Sequence, residues 1–211
     1  MRSTAFGSWT RSTSNKKEFK RRRAWLKRSL VFCGLALILL AFGMVLVDSR
    51  LLGAGSIPPP KNESLRLTVP KMKRVNNIPV YNANWNDENK LDAGAIHLKG
   101  TGYPWQSQAN VYIVGHRLGY ARTGSFLVFY DLNRLKNGDR VLLTDTEGRK
   151  YVYKVFKEIV VKPSDVAVTK PVVRKNIVSL QACTLPNYSK RLIVQAELVK
   201  RIDKPAQAST G

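Results

Sequence analysis

Three side chains in this sequence are suited to acyl transfer if the fold brings them together: the thiol of Cys183, the imidazole of His116 and the guanidinium of Arg191. Cys183 lies in Ser179-Leu180-Gln181-Ala182-Cys183-Thr184, and Arg191 follows eight positions later in Arg191-Leu192-Ile193-Val194. His116 stands at the end of an apolar run, Val111 to Gly115. An ordinary thiol is only slightly ionised at neutral pH, and neighbouring imidazolium or guanidinium charge favours the nucleophilic thiolate. An imidazole protonates a leaving amine and later deprotonates an attacking one. A permanently charged guanidinium can hold a substrate carbonyl and its developing oxyanion. Each residue also has a plainer use: a buried cysteine packs as a small hydrophobe, a strand-end histidine is often structural, and Arg191 sits in a row of cations with Lys190 and Lys200.

The elements that must position these groups read mostly as strands. Leu65 to Val69 alternates and stops at Pro70, Val111 to Gly115 is a short buried run, and Val141 to Thr144 alternates less cleanly. Tyr151 to Val161 is the longest stretch of β-formers, and Asn176 to Cys183 and Lys190 to Val199 follow it. Phe126 to Leu135 spaces its apolar residues as a short helix closed by the turn Asn137-Gly138-Asp139. Many short strands with few helices predict a closed or nearly closed β-barrel, because an open sheet of this length leaves exposed edges. The segment Lys162 to Lys175, with Pro163 and Pro171, is long enough to wall a groove beside the last two strands.

Charge is distributed in a way that argues against nucleic acid. The 211 residues carry a formal +22, but +9 of it lies in Met1 to Arg28, with ten Lys or Arg against Glu18. Residues 1–28 therefore read as a basic cytoplasmic tail. Ser29 to Val47 follows without a single charge, about 28 Å long as a helix and so matched to a hydrocarbon core. A basic flank on that side predicts a single-pass transmembrane anchor, N-terminus cytoplasmic and the remainder extracytoplasmic. A cleaved signal peptide is the alternative, although its apolar core is usually shorter, about 7 to 15 residues. Residues 48–64, with Gly, Ser and the triple proline 58–60, suit an extended linker. Residues 65–202 are enough for one core, and 203–211 form a polar tail expected to be flexible. Past the apolar run, 26 basic and 13 acidic residues spread over strands and loops, a basic surface suited to a polyanionic envelope. Cys33 lies in the apolar run and Cys183 beyond it, so no disulfide joins them and the exported thiol is unpaired.

From Leu65 onward the sequence resembles the sortases, membrane-anchored cysteine transpeptidases of Gram-positive bacteria. The pieces that carry the resemblance occur in order: LRLTVPKM from Leu65, GHR at 115–117, FLVFYDLNRLKNGDRV at 126–141, YVYKV at 151–155, KPSDVAV at 162–168 and SLQACTLPNYSKRLIV at 179–194. The resemblance implies a single closed eight-stranded β-barrel with short helices, and a catalytic trio of Cys183, His116 and Arg191. It implies cleavage of an LPxTG-like sorting signal at Thr-Gly through a Cys thioacyl intermediate. The acyl protein then passes to an amine of the peptidoglycan precursor, or to a pilin lysine. The GHR and YSKRLIV pieces and compact loops look most like class D or class E. Ser179 and Ala182 stand where the family usually has threonine, which predicts an altered contact beside the nucleophile.

The remaining candidates are weaker. His97 lies in a segment that resembles the histidine-containing stretch before the active-site strand in several sortase branches, either near the groove or structural. No cofactor is implied, and two histidines with one accessible cysteine make no zinc set. Asp87, Glu88, Asp92 and Asp165 are scattered acids that could serve calcium, or simply be solvated. Tyr81, Trp85, Tyr103, Trp105 and Tyr188 are available either to line a peptide groove or to pack the core and rim. A catalytically silent barrel that binds envelope peptides is the competing functional reading.

Overall fold

The computed structural model describes residues 57–203. The basic tail 1–28, the apolar run 29–47, the first part of the linker and the tail after Asp203 lie outside the described residues. No helix among the described residues is long and apolar enough to cross a membrane.

Eight strands close into one barrel: β1 (Leu65–Thr68), β2 (Ile78–Ala83), β3 (Ala95–Leu98), β4 (Ala109–Val114), β5 (Arg140–Asp145), β6 (Lys150–Val161), β7 (Asn176–Cys183) and β8 (Arg191–Ile202). Their order around the barrel is β1-β2-β3-β4-β7-β8-β6-β5. Closure leaves no free sheet edge. Two neighbouring pairs are parallel, β2 with β3 and β4 with β7. Parallel neighbours need a crossover. The first is made by the helix α1 (Glu88–Ala93), and the second by the whole excursion through β5 and β6.

Period-2 alternation decides which side chains fill the interior. Val111 and Ile113 of β4, Val178, Leu180 and Ala182 of β7, and Leu192, Val194 and Ala196 of β8 all belong to one buried apolar cluster. The intervening residues of these strands therefore face outward. Tyr151, Tyr153 and Val155 of the long β6, next to β8, add to the same core. The 12-residue strands β6 and β8 pair along almost their full length, with irregularities between Val152 and Tyr153 and between Val155 and Lys157.

The chain enters at the end of the barrel remote from Cys183. Thr146 Oγ1 donates to Asn62 O at 2.8 Å, Arg149 Nη1 to Pro58 O at 2.9 Å, and Tyr103 Oη to Glu63 Oε2 at 2.6 Å. These contacts cluster around the β5–β6 turn. Because Lys150 pairs with Ile202 while Val161 pairs with Arg191, that turn and the β8 start lie at opposite ends.

The predicted helix over Phe126 to Leu135 is shorter and tighter than expected. Residues 126–129 form turns, and a 3-10 helix covers only Tyr130–Arg134. Leu127 adopts φ 57°, and its N–H bonds back to Leu118 O at 2.7 Å. A residue in that left-handed region interrupts an α-helix, which apolar spacing alone does not reveal. In exchange the segment packs Phe129 and Leu132 fully into the barrel mouth.

His97 is inside the fold, not in a groove. It is 2% exposed, with Nε2 3.0 Å from both Gly102 O and Thr101 Oγ1, Nδ1 3.3 Å from Asn82 Oδ1, and Tyr103 tilted against its ring. Burial pulls its imidazole below the ordinary value of 6.5, although the bond to Gly102 and the charge of Glu63 oppose the shift. The folded ring therefore stays neutral where the unfolded one begins to protonate. Stability contributed by this ring is complete above pH 6.5 and is lost as pH falls below it. Thermal melts should show a decline as pH falls below that point that is flatter in His97→Gln, a variant expected to cost about 1 to 2 kcal/mol at pH 7.5. Parallel profiles for the two proteins would refute the assignment.

Candidate active site

The three sequence-predicted residues come together through strand register. Cys183, the last residue of β7, pairs directly with Arg191, the first of β8. In the parallel β4–β7 pair, Val114 stands opposite Gln181, and the ladder continues as Gly115 N–H donates to Gln181 O at 3.0 Å. Continuing that register by two residues sets His116 beside Cys183. His116, Cys183 and Arg191 thus form a row across three adjacent strands, with neighbouring backbones about 4.8 Å apart. All three are outward-facing by alternation, and each is half-buried.

Glycines and a helix hold the His116 end of this row. A Cβ on Gly115 would lie 2.9 Å from the Phe129 ring, so only glycine lets that ring close the barrel mouth beneath His116. A Cβ on Gly124 would lie 1.9 Å from Ala93 O, so the loop after β4 touches the last turn of α1. Ser125 N–H donates to Asp92 O at 3.1 Å at the same place. This docking puts the Asp92 carboxylate 3.0 Å from His116 Nε2.

Asp92 was only one of several scattered acids in the sequence. Its partner is His116, while Asp87 caps α1 by accepting from Lys90 N–H and Asp165 accepts from Lys162 N–H. These acids do not converge, and no group of three potential metal ligands occurs among the described residues. With Nε2 engaged by the carboxylate, Nδ1 is the ring nitrogen left for chemistry. Asp92→Asn is expected to lower kcat about tenfold, with partial rescue by Asp92→Glu and little change in the peptide KM. Unchanged kcat in the asparagine variant would remove Asp92 from any positioning role.

Arg191 is anchored by its own loop. Its Nη1 donates to Tyr188 O at 3.0 Å and Lys190 O at 3.2 Å, which leaves other guanidinium N–H groups for a ligand. The connection 184–190 is closed by Thr184 N–H to Lys190 O and by Tyr188 N–H to Thr184 O. Arg191 is also close enough to Tyr112 to favour its phenolate, against a larger upward push from burial of that phenol.

Below the row, the outer face of the sheet carries a polar ladder. Tyr112 Oη donates to Gln181 Oε1 at 2.7 Å. Ser179 Oγ donates to Asn110 Oδ1 at 2.8 Å and accepts from Gln195 Nε2 at 3.2 Å. Asn110, fully buried, donates through Nδ2 to Val168 O and Lys170 O. It thereby ties the 162–175 segment, with its 3-10 helix Val166–Thr169, across the lower part of this face. That segment is pinned again by Arg174 N–H to Gln108 Oε1 and Ala109 N–H to Lys175 O. It forms a fixed wall that leaves the row open above it, with Val166 and Val173 exposed on it.

The two departures from the threonine pattern now have structural addresses. Ala182 is 1% exposed and points into the apolar core, while Ser179 belongs to the buried ladder. Neither side chain faces the row. Of the aromatic candidates, Trp105 is buried and stacks on Tyr103 at 4.6 Å, capping the end where the chain enters. Tyr188 remains exposed in the loop beside Arg191.

Comparison with known proteins bears on the family and the fold. Residues 67–199 match the family model described as a sortase domain. Sortase A of Streptococcus agalactiae serotype III (strain NEM316) is 29% identical over 127 residues, 59% of this chain and 49% of that protein, so the chain spans about half that relative's length. Among solved structures, a lid mutant of sortase A from Corynebacterium diphtheriae aligns with TM-score 0.58 at 26% identity, over 68% of this chain and 73% of that one. Sortase C-1 from Actinomyces oris aligns with TM-score 0.58 at 28% identity, over 66% and 76%. A family model that covers most of the chain, matched by a closed barrel of the same kind, makes this protein a member of the sortase family.

Proposed function

We propose that this protein is a membrane-anchored cysteine transpeptidase that cleaves an LPxTG-like sorting signal at Thr-Gly and transfers the acyl protein to an amine of the cell wall precursor. The observation that carries the proposal is the row His116, Cys183 and Arg191, set side by side by the register of β4, β7 and β8. The Cys183 thiolate attacks the Thr carbonyl carbon, forming a C–S bond. Arg191 donates hydrogen bonds to the oxyanion as it develops. His116 gives its proton to the departing amine as the C–N bond breaks. An acceptor amine then attacks the thioacyl carbon, the C–S bond breaks, and His116 takes the proton from the amine nitrogen.

Substrate access follows from the wall. The exposed valines 166 and 173 offer apolar surface on the 162–175 segment, suited to the apolar start of such a signal. The likeness to class D or class E enzymes in the GHR and YSKRLIV pieces is part of the same proposal. So is the anchor at 29–47, which sets the protein in the cell membrane with its barrel outside.

The test is intact-mass spectrometry of the full chain in detergent, incubated with a small set of sorting peptides. An acyl adduct on Cys183 is the expected result. No adduct with any peptide, together with a thiol inert to methanethiosulfonate near neutral pH, would favour the silent peptide-binding barrel.

A further inference from the structure

The catalytic row has a second row beside it on the same face. Two residues away along each strand, the register sets Val114 of β4, Gln181 of β7 and Ile193 of β8 side by side. Like the catalytic row these residues point outward, because Ala182 and Leu192, which separate the two rows, belong to the core. Ile193 is fully buried, while Val114 and Gln181 are half-buried. The floor next to the thiol is therefore apolar on both sides, with one amide between.

That amide is held in place. Tyr112, only 1% exposed, donates from Oη to Gln181 Oε1 at 2.7 Å. The bond occupies the oxygen end of the amide and leaves its two N–H donors to the other side. Nε2 has no partner among the described residues, and it is not one of the donors sealed from solvent. Water satisfies such a group until a peptide covers the floor, and burial without an acceptor is then unfavourable. The acceptor that every peptide carries is its backbone carbonyl.

Spacing selects which carbonyl that is. Gln181 and Cys183 stand two residues apart on one strand face, about 6.8 Å. In an extended peptide, carbonyls on one side recur at the same two-residue interval. A signal lying along β7 with its Thr carbonyl carbon at the thiol thus presents the carbonyl of its second residue to Gln181.

We propose that Gln181 binds the backbone carbonyl of the second signal residue through an Nε2 oriented by Tyr112, and so sets the register of the peptide on Cys183. The inference rests on the transpeptidase function proposed above. Because a carbonyl is bound instead of a side chain, the contact fixes where the signal sits and leaves the variable position free.

The probe is a matched pair of sorting peptides, one with alanine at the variable position and one with lactate there, which turns the carbonyl of the second residue into an ester carbonyl, a weaker acceptor. Acylation of Cys183 in the full chain in detergent is followed by mass spectrometry. The amide-to-ester ratio of kcat/KM is taken within each preparation, so a general loss of activity cancels. The N–H lost with lactate is common to all the proteins compared. The ratio should be about fivefold higher in wild type than in Gln181→Met or Gln181→Glu. Glutamate keeps an oxygen for Tyr112 but, ionised at neutral pH, has no donor for the peptide, so a residue needed only to satisfy the phenol would leave the ratio unchanged in that variant. Equal ratios in wild type and either variant overturn the proposal, and the glutamate variant decides alone if the methionine one fails to fold. Absence of any peptide adduct on Cys183 in wild type would instead defeat the underlying transpeptidase function.

Discussion

Cys183→Ala should form no acyl adduct with any sorting peptide and should lower turnover by roughly 10⁴-fold or more, since loss of a nucleophile removes the covalent path altogether. The same substitution should leave the fold intact. Cys183 is half-buried, ends its strand and faces away from the apolar cluster, so its truncation opens no core cavity. A melting midpoint shifted by the equivalent of no more than about 0.5 kcal/mol is expected. Cys183→Ser tests the chemistry more closely, because it keeps the shape and replaces sulfur with a far less acidic oxygen. It should be nearly as inactive as alanine, whereas a base-activated hydroxyl would retain measurable turnover. Turnover by the alanine variant above a hundredth of wild type would refute the assignment of Cys183 as nucleophile.

The sequence carried the strands nearest the site more clearly than the rest. Asn176 to Cys183 matches β7 residue for residue, and the expected starts of β6 and β8 fall within one residue of those found. These strands have long runs of Val, Ile and aromatics, and β7 is buried along most of its length, so their hydrophobic pattern is strong. β2 and β3 were not read. Ile78-Pro79-Val80-Tyr81-Asn82-Ala83 contains a proline and an asparagine, and Ala95 to Leu98 is only four residues long. Pro79 lies before the β2–β3 pairing begins at Val80. The helix α1 left a legible trace in Asp87 as N-cap and Gly94 after its last turn, but its six residues bury none of their side chains fully, so no apolar stripe marks it.

The site divides along the same line. Residue type pointed to Cys183 and His116 because thiols and imidazoles are scarce in this chain, two of each, whereas Arg191 is one of many cations and stood out only by its place after the cysteine. Their juxtaposition is a matter of register, which depends on a parallel β4–β7 pairing that spans more than sixty residues of sequence. Asp92 was not legible as a site residue. It reaches His116 only through contact of α1 with Gly124, and that contact is not local in sequence. Ala182 is the converse case: a departure from a family pattern that looked chemical is resolved by parity, since residue 182 points inward whenever residue 183 points outward.

Arg191→Gln is expected to reduce kcat by about 10²- to 10³-fold while the KM for the sorting peptide changes little, the signature of a group that binds the transition state more tightly than the substrate. The structure bears on this in two ways. Arg191 starts β8 directly opposite Cys183, on the same outward face, which would set its donors beside a carbonyl attacked by the thiol. Its Nη1 is committed to Tyr188 O and Lys190 O, which fixes the guanidinium before substrate arrives and removes the need to reorganise it during the reaction. Arg191→Lys separates these contributions. A lysine keeps the charge but offers a compact ammonium in place of a planar fork, and it cannot hold the loop and an oxyanion together in the same geometry. It should recover a few-fold of the glutamine loss and remain well below wild type. If charge alone mattered, lysine would restore nearly full kcat. If Arg191 only tethered the 184–190 loop, both variants would raise KM and spare kcat. The ratio of the two effects, measured under single-turnover conditions with peptide in excess, therefore decides whether Arg191 works on the oxyanion or on the loop.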